Sequence, residues 1–159
     1  MRIGHGYDIH RLEVQEGKKA IRLGGVDIPF DKSFIAHSDG DVLIHALIDA
    51  LLGAAGLGDI GQHFPDTDPQ YKGCNSRDLL AIIMRKLNEM HYIINNVDVT
   101  IIAQKPKLAP HLPTMQEILS MDLNIALSDI NLKAKTNEHC DSLGRCEAIA
   151  AFAVVTIKK

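Results

Sequence analysis

The spacing of hydrophobic and polar residues divides the chain into interleaved strands and helices. Period-two alternation and short apolar runs predict strands at Arg2–His10, Ala20–Leu23, Val26–Pro29, Ile93–Ala103, Ile130–Lys135 and Ala148–Ile157. Apolar residues at helical spacing predict helices over Asp41–Ala55 and Asn75–His91, and a shorter helix that ends near Asp122. This order of elements predicts an α/β or α+β fold with one layered sheet. No repeat or linker interrupts the chain, so residues 1–159 are predicted to form a single domain.

Two segments add to this picture. Ala148–Ile157 is apolar on both faces, which is typical of a strand buried on both sides. Such a strand is either central in a monomer or packs one face against a neighbouring subunit. Gly56–Gly73 contains four glycines and two prolines and predicts an extended loop. Loops of that length are usually functional or mobile.

Composition narrows the class of protein. Hydrophobic residues make up 46% of the chain and charged residues 23%, which excludes wholesale disorder. No apolar run reaches the roughly 18–20 residues of a membrane span, and the start MRIGHGYDIH has no signal-peptide pattern. A formal net charge of −3 argues against generic nucleic-acid binding. Three cysteines without a close pair fit no disulfide framework, so we expect a cytoplasmic protein with neither membrane nor nucleic-acid partners.

Histidine and aspartate near the start of the chain suggest a metal site. Asp8 and His10 are two residues apart in a predicted strand, so their side chains project to the same side. Asp41, His45 and Asp49 form a narrow polar line at a spacing of four on an apolar helix. Asp8, His10 and His45 would give zinc three ligands and leave a fourth position open, as in catalytic zinc sites. Asp41 or Asp49 would then hold the second ring nitrogen of His45.

Each of these patterns also has a plainer interpretation. Asp8 and His10 could be a solvated pair at a strand end, and the polar line could be the wet side of a surface helix. The turn at Ser38, Asp39 and Gly40 leads into a helix N-terminus, which favours an anion, although Ser38 or Asp39 could simply be the N-cap. A metal beside such a helix end would suit a phosphorylated substrate.

Longer motifs resemble one known family. GHGYDIH, the block from Ala36 to Asp68 (AHSDGDVLIHALIDALLGAAGLGDIGQHFPDTD), NVDVTIIAQKPKLAPH and KAKTNE are similar to the 2-C-methyl-D-erythritol 2,4-cyclodiphosphate synthases, over essentially the whole chain. The resemblance implies a cytidine diphosphate ester of methylerythritol 2-phosphate as substrate in non-mevalonate isoprenoid biosynthesis. Its 2-phosphate attacks the β-phosphorus, CMP leaves, and a cyclic diphosphate forms without water. This reaction is an intramolecular phosphoryl transfer by a phosphorus–oxygen lyase.

The resemblance also implies roles for single residues. Zinc would be held at Asp8, His10 and His45, and magnesium or manganese, bridging the α- and β-phosphates, at Glu138. His37 and Thr136 match positions that stabilise the transition state. The positions that match substrate-contacting residues are Ser38, Asp59, Ile60, Gly61, Phe64, Pro65, Asp66, Thr67, Asp68, Ala103, Gln104, Pro106, Lys107 and Leu108. Among these, Ser38 would contact phosphate, Asp59 the erythritol hydroxyls, and the segment from Ala103 to Leu108 the cytosine.

The family's assembly is implied in the same way. Its members are homotrimers whose sheets surround a central axis, with helices on one side of each sheet and active sites between neighbouring subunits. Arg145 matches an arginine that, in some members, faces an axial cavity and meets an isoprenoid diphosphate. Ser142 stands where many members have an aromatic residue, and Cys146 where they have glycine. The missing aromatic residue weakens the expectation that this chain binds an isoprenoid diphosphate in an axial cavity, but leaves that binding open.

Two other functions share parts of this pattern. A zinc-dependent phosphoesterase would use the same ligands but would need a water in line with the phosphorus. A non-catalytic trimer that binds isoprenoid diphosphates would not need His45.

Overall fold

A five-stranded mixed sheet and a separate hairpin form the β-structure of the chain. The computed structural model describes residues 1–65, 67–71 and 73–159. The strands are β1 (Arg2–Glu13), β2 (Ala20–Leu23), β3 (Val26–Pro29), β4 (Ser33–Phe34), β5 (Ile93–Ile102), β6 (Ile130–Lys135) and β7 (Ala148–Lys158). The sheet has the order β4-β1-β7-β5-β6, and β2 pairs with β3. Only β5 and β6 run parallel; the other neighbours are antiparallel.

Helices connect these strands. They are α1 (Val42–Ala55), α2 (Ile60–His63), α3 (Ser76–Glu89), α4 (Leu112–Leu123) and α5 (Asp141–Gly144), and single 3-10 turns lie at Pro69–Tyr71 and Leu127–Asp129. Within the described residues, no helix combines the length and the hydrophobicity that a membrane span requires. The mixed α/β class predicted from the sequence is confirmed.

Several element ends differ from the prediction by one or two residues, and β4 and α5 were not predicted. Two departures are larger. β1 continues to Glu13 because Leu12 and Glu13 pair with the short edge strand β4. The segment Gly56–Gly73 contains α2 and a 3-10 turn, so the prediction of an extended loop there was wrong. The sequence reason for α2 is its N-cap, since the Asp59 side chain accepts the N–H of Gln62.

Close packing of α1 on the sheet brings the helix next to β1. Nearly every residue of α1 is buried, because the helix lies between the sheet and α3. Two glycines of β1 make this approach possible: a Cβ on Gly4 would lie 1.8 Å from the Ala50 carbonyl oxygen, and one on Gly6 would lie 1.9 Å from that of Ala46. The backbones of strand and helix are therefore in direct contact, and this contact sets the position of the helix relative to β1.

We expect Gly6→Ala to lower the free energy of unfolding by about 3 kcal/mol, because backbone atoms must move to admit the methyl group. Urea denaturation at fixed protein concentration measures the loss. Gly53→Ala is the matched control: it lies inside α1, its Cβ would have its nearest neighbour at 3.9 Å, and helix propensity predicts a gain of about 0.5–1 kcal/mol. Equal effects of the two substitutions would contradict close packing at Gly6.

The face of the sheet away from α1 carries an exposed apolar patch on β1 and β7. Tyr7 and Phe152 are cross-strand partners on this face, with ring centroids 4.8 Å apart, and both are exposed. Ile3 and Ile9 of β1 are exposed beside them. The strand predicted to be buried on both sides, β7, is thus fully buried on its α1 side only. We call the open surface formed by Ile3, Tyr7, Ile9 and Phe152 the bare face.

Candidate metal centre and substrate cavity

A strand and a helix bring two histidines and an aspartate together. Asp8 and His10 project from the face of β1 that packs on α1, and His45 lies in the first turns of α1. One potential ligand atom from each residue lies within 4.8 Å of the others. The prediction that these three side chains converge is confirmed, and the interpretation as a solvated strand-end pair is wrong.

The atoms that converge are those that ligate metals. Nδ1 of His45 lies 3.0 Å from Oδ2 of Asp8, and Nδ1 of His10 lies 2.9 Å from the same oxygen. The Nδ1 atom of His10 is buried, and its contact with Asp8 is too poorly aligned for a hydrogen bond. Burial would raise the pKa of Asp8, but the two histidines outweigh it and lower that pKa to about 2. A carboxylate that is ionised at neutral pH between two imidazoles fits a divalent metal with nitrogen and oxygen ligands.

The sequence predicted that Asp41 or Asp49 would hold the second ring nitrogen of His45. This prediction was wrong, because both carboxylates bind backbone N–H groups instead. Asp41 is fully buried and accepts the N–H groups of Gly24, Gly25 and Ile44, which makes it the N-cap of α1 in place of Ser38 or Asp39. Its carboxylate places negative charge at the helix end, which opposes a further anion there. Asp49 accepts the N–H of Ile60.

The metal triad lines a cavity of about 490 Å³. The predicted site residues that line it are Asp8, His10, His37, Ser38, His45, Ile60, Gly61, Phe64 and Asp68. Such a volume falls in the range of small-molecule sites. The sequence thus predicted much of the wall of one cavity from positions far apart in the chain.

The segment after α1 forms one side of this cavity. Asp59 is exposed and does not line the cavity, but it caps α2 and so orients Ile60 and Gly61. Phe64 packs edge-on against Tyr71, with ring centroids 5.2 Å apart. Pro65 and Thr67 do not line the cavity, and Asp66 lies outside the described residues.

The remaining predicted residues form a second group. The Ala103 N–H donates to the Lys135 carbonyl, and the Gln104 side chain accepts the N–H of His139. The Thr136 hydroxyl donates to the Glu138 carboxylate, and the backbone of Glu138 is left-handed, with φ of 48°. Within this group Pro106 and Lys107 continue the segment after Gln104, Lys107 is exposed, and Leu108 is buried.

Sheet order separates the two groups within one chain. Asp8 pairs with Ala151, Ala151 with Ile101, and Ile101 with Ala134, so β1 and β6 are three strand spacings apart. At about 4.8 Å per spacing, Thr136 and Glu138 start about 14 Å from the triad. None of the second group lines the triad's cavity.

Arg145 lies apart from both groups. Its guanidinium pairs with Glu147 at 2.9 Å and 3.0 Å, and both side chains are exposed. Cys146, where the family resemblance implied glycine, has a left-handed backbone with φ of 57°. Glycine adopts that conformation without strain, so cysteine at this position costs conformational energy. This substitution does not involve the metal triad.

Sequence reasoning missed several residues of the site, among them Tyr71 and Ser76. Tyr71 lines the cavity, and its only sequence signal was an aromatic residue in a polar, glycine-rich stretch. Ser76 contacts His45 from the first turn of α3, directly after the N-cap Asn75.

Comparison with known proteins places the chain in a family. The sequence profile of the YgbB family matches residues 1–158. The chain belongs to the YgbB family. One relative is the 2-C-methyl-D-erythritol 2,4-cyclodiphosphate synthase of Thioalkalivibrio sulfidiphilus. It is 58% identical over 158 residues, which are 99% of this chain and 97% of the relative.

Solved structures agree with this membership of the YgbB family. The bifunctional IspDF of Campylobacter jejuni matches with a TM-score of 0.92 at 40% identity, over 99% of this chain and 42% of that one. This chain therefore spans less than half of the bifunctional protein. The CDP complex of IspF from Plasmodium falciparum matches with a TM-score of 0.84 at 38% identity, over 98% of this chain and 94% of that one.

Proposed function

We propose that this protein converts 4-diphosphocytidyl-2-C-methyl-D-erythritol 2-phosphate into 2-C-methyl-D-erythritol 2,4-cyclodiphosphate and CMP. An oxygen of the 2-phosphate forms a bond to the β-phosphorus, and the bond from that phosphorus to the oxygen of the α-phosphate breaks. CMP carries away the electron pair, so the step is an intramolecular phosphoryl transfer of the phosphorus–oxygen lyase type. The observation that carries the proposal is a three-residue metal triad in the wall of a ligand-sized cavity, in a chain of this family.

The triad fits zinc. Asp8, His10 and His45 offer one carboxylate and two imidazoles, and three protein ligands leave a position for a substrate oxygen. When bound, a divalent metal neutralises phosphate charge as a Lewis acid. The chain's own contribution is to hold these three side chains on β1 and α1 before substrate arrives, since positioning dominates catalysis of phosphoryl transfer.

Other residues of the cavity would bind and shield the substrate. His37 and Ser38 face the same cavity as the triad. They would contact the 2-phosphate or the β-phosphate that it attacks. Ile60 and Gly61, oriented by the Asp59 cap, would contact the erythritol part of the substrate. The packed rings of Phe64 and Tyr71 would exclude water on that side, which favours attack by the substrate's own phosphate over hydrolysis. Asp68, which also lines the cavity, would contact the substrate on this side.

The second group would complete the site from a neighbouring subunit. A diphosphate held by the triad is too short to reach Glu138 of the same chain, about 14 Å across the sheet. A second chain would then have to supply Glu138, and we infer the homotrimer that the family resemblance implies, with the bare faces packed around a common axis. This arrangement would bury Tyr7 and Phe152 and bring one chain's Glu138 to its neighbour's triad. It also accounts for β7, which is largely apolar on both faces but fully buried on only one of them within the chain.

Glu138, Thr136 and the segment at Ala103–Leu108 would serve the nucleotide end. The carboxylate of Glu138, held by the Thr136 hydroxyl, fits a hard cation such as magnesium or manganese that is shared with phosphate oxygens. Thr136 would donate to the transferring phosphoryl group. Backbone groups of Ala103 and its neighbours Gln104, Pro106 and Leu108 would bind cytosine, with Lys107 near the diphosphate. A relative from Plasmodium falciparum has been solved with CDP.

We expect Glu138→Gln to keep its zinc and to lose at least about a hundredfold in turnover, because an electrostatic contact of the transition state is removed. Zinc is measured by metal analysis and turnover at several magnesium concentrations. Glu117→Gln, the same change at an exposed position of α4, is the control and should match wild type. An unaltered magnesium dependence in Glu138→Gln would contradict this role.

The remaining features extend the same proposal. Residues 1–159 would act as one synthase domain in the cytoplasm. The exposed Arg145–Glu147 ion pair does not add support for the binding of isoprenoid diphosphates, because the charge of Arg145 is already paired with that of Glu147. Neither the phosphoesterase nor the non-catalytic sensor is favoured by an observation of its own.

Product analysis by phosphorus NMR tests the proposed reaction. The expected result is a pair of coupled resonances from a cyclic diphosphate, together with one equivalent of CMP. Inorganic phosphate would instead indicate a phosphoesterase. An unchanged substrate that nevertheless binds would indicate a non-catalytic protein.

A further inference from the structure

His45 is held on both sides of its imidazole ring. Nδ1 faces Asp8, and Nε2 lies 2.8 Å from the hydroxyl oxygen of Ser76. Ser76 is fully buried, and His45 is only 8% exposed. Ser76 is the first residue of α3, 31 residues beyond His45 in the chain, and the functional roles assigned above do not include it.

The direction of the hydrogen bond between these residues follows from a third one. The Ser76 hydroxyl donates a short hydrogen bond to Oδ1 of Asp39, and an ionised carboxylate only accepts. The single hydroxyl proton of Ser76 is therefore used toward Asp39. Toward His45, the Ser76 oxygen must accept, so Nε2 of His45 carries the proton.

A protonated Nε2 determines what Nδ1 can do. A neutral imidazole has one N–H, so the lone pair of Nδ1 is directed at Asp8 and His10. That tautomer is the one a metal requires at this corner of the triad. Partners of the second ring nitrogen fix ring orientation and raise the basicity of the ligating nitrogen.

Asp39 is itself fixed by the backbone around it. Its Oδ2 accepts the Ser76 N–H at 3.1 Å, and its Oδ1 accepts the Asp41 N–H at 3.2 Å. Its own N–H donates to the Cys74 carbonyl at 3.1 Å. Asp39 thus joins the start of α1 to the start of α3, and it holds the Ser76 hydroxyl in one orientation.

We propose that Asp39 and Ser76 form a relay that sets the tautomer of His45 and strengthens its binding of the metal. Both are positioning residues, because they act through His45 and do not contact the reacting atoms. The inference rests on the proposed function, because it takes Asp8, His10 and His45 as the metal ligands.

Ser38 is a competing partner for the same nitrogen but a weaker one. Its hydroxyl oxygen lies 3.2 Å from Nε2 of His45 and already accepts the Gly40 N–H. Ser38 also lines the cavity, whereas Ser76 is buried away from solvent. Ser38 is therefore available to a phosphate, and Ser76 is left to orient the ring.

The first test is zinc affinity measured by chelator competition on the zinc-loaded protein. Ser76→Ala should weaken binding about 10-fold to 100-fold, the usual effect of removing a ligand's second partner. The matched control is Asn75→Ala, which removes the adjacent N-cap of α3 without touching His45. It should lower the melting temperature and leave zinc affinity within about twofold. Equal affinities in wild type and Ser76→Ala would overturn the proposal.

The second test needs no variant and decides the matter if Ser76→Ala fails to fold. Nitrogen-15 NMR of the zinc-loaded wild type should show His45 bound through Nδ1, with a slowly exchanging proton on Nε2. Ligation through Nε2 would overturn the relay. Neither readout depends on turnover, so a protein that shows both results but makes no cyclic product would contradict the proposed function and leave the relay intact.

Discussion

Replacing His45 by alanine is expected to remove most of the bound zinc and to lower turnover by more than about a hundredfold. Loss of a residue that hydrogen-bonds a metal ligand lowers metal affinity roughly 10-fold to 100-fold, and loss of one of only three ligands lowers it further. The remaining Asp8 and His10 would offer only one carboxylate and one imidazole. Metal analysis after dialysis and a steady-state assay measure the two losses.

The control must separate loss of a ligand from loss of a histidine. His91 is exposed, follows α3 and has a left-handed backbone with φ of 60°, a conformation that asparagine tolerates. His91→Asn should therefore keep zinc and turnover at wild-type levels. A His45→Ala protein that retains a full equivalent of zinc would show that the metal binds elsewhere.

Mixing two inactive variants is expected to restore activity. In a trimer that combines His45→Ala and Glu138→Gln chains, some sites receive an intact triad from one chain and an intact Glu138 from its neighbour. With random assembly of equal amounts, about a quarter of all sites are complete. In the isolated trimers that contain both chains, about a third of the sites are complete, because each such trimer has one such pairing of neighbours. Co-expression with two different affinity tags, followed by tandem purification, isolates the mixed trimers for assay.

This experiment also tests how the site is divided. Trimers purified from each variant alone provide the background. If the triad and Glu138 served the same reaction from one chain, every site in the mixture would carry one defect. Activity no higher than the background would then exclude the shared site.

Much of the fold was predictable from local pattern. The bounds of β2, β3 and β6 match the prediction, because alternation and the Gly24-Gly25 turn act between near neighbours. The face shared by Asp8 and His10 follows from strand geometry, and the helical line through His45 follows from its period. That strand and helix meet was suggested by the ligand chemistry of the three residues and was also implied by the family resemblance.

Long-range contacts were not predictable from the sequence. Asp41 meets Gly24 and Gly25 because the β2–β3 hairpin folds over the start of α1, and no local spacing encodes that contact. Ser76 reaches His45 only because α3 packs beside α1. The separation of Glu138 from the triad likewise depends on the order of strands in the sheet.

Diffraction at the zinc absorption edge, from crystals of the protein grown with zinc, tests the central claim most directly. The account predicts one anomalous peak per chain, between Asp8, His10 and His45, at the wall of the cavity that His37 and Ser38 also line. A fully active protein with no peak at this position, or with its zinc bound elsewhere, would contradict it.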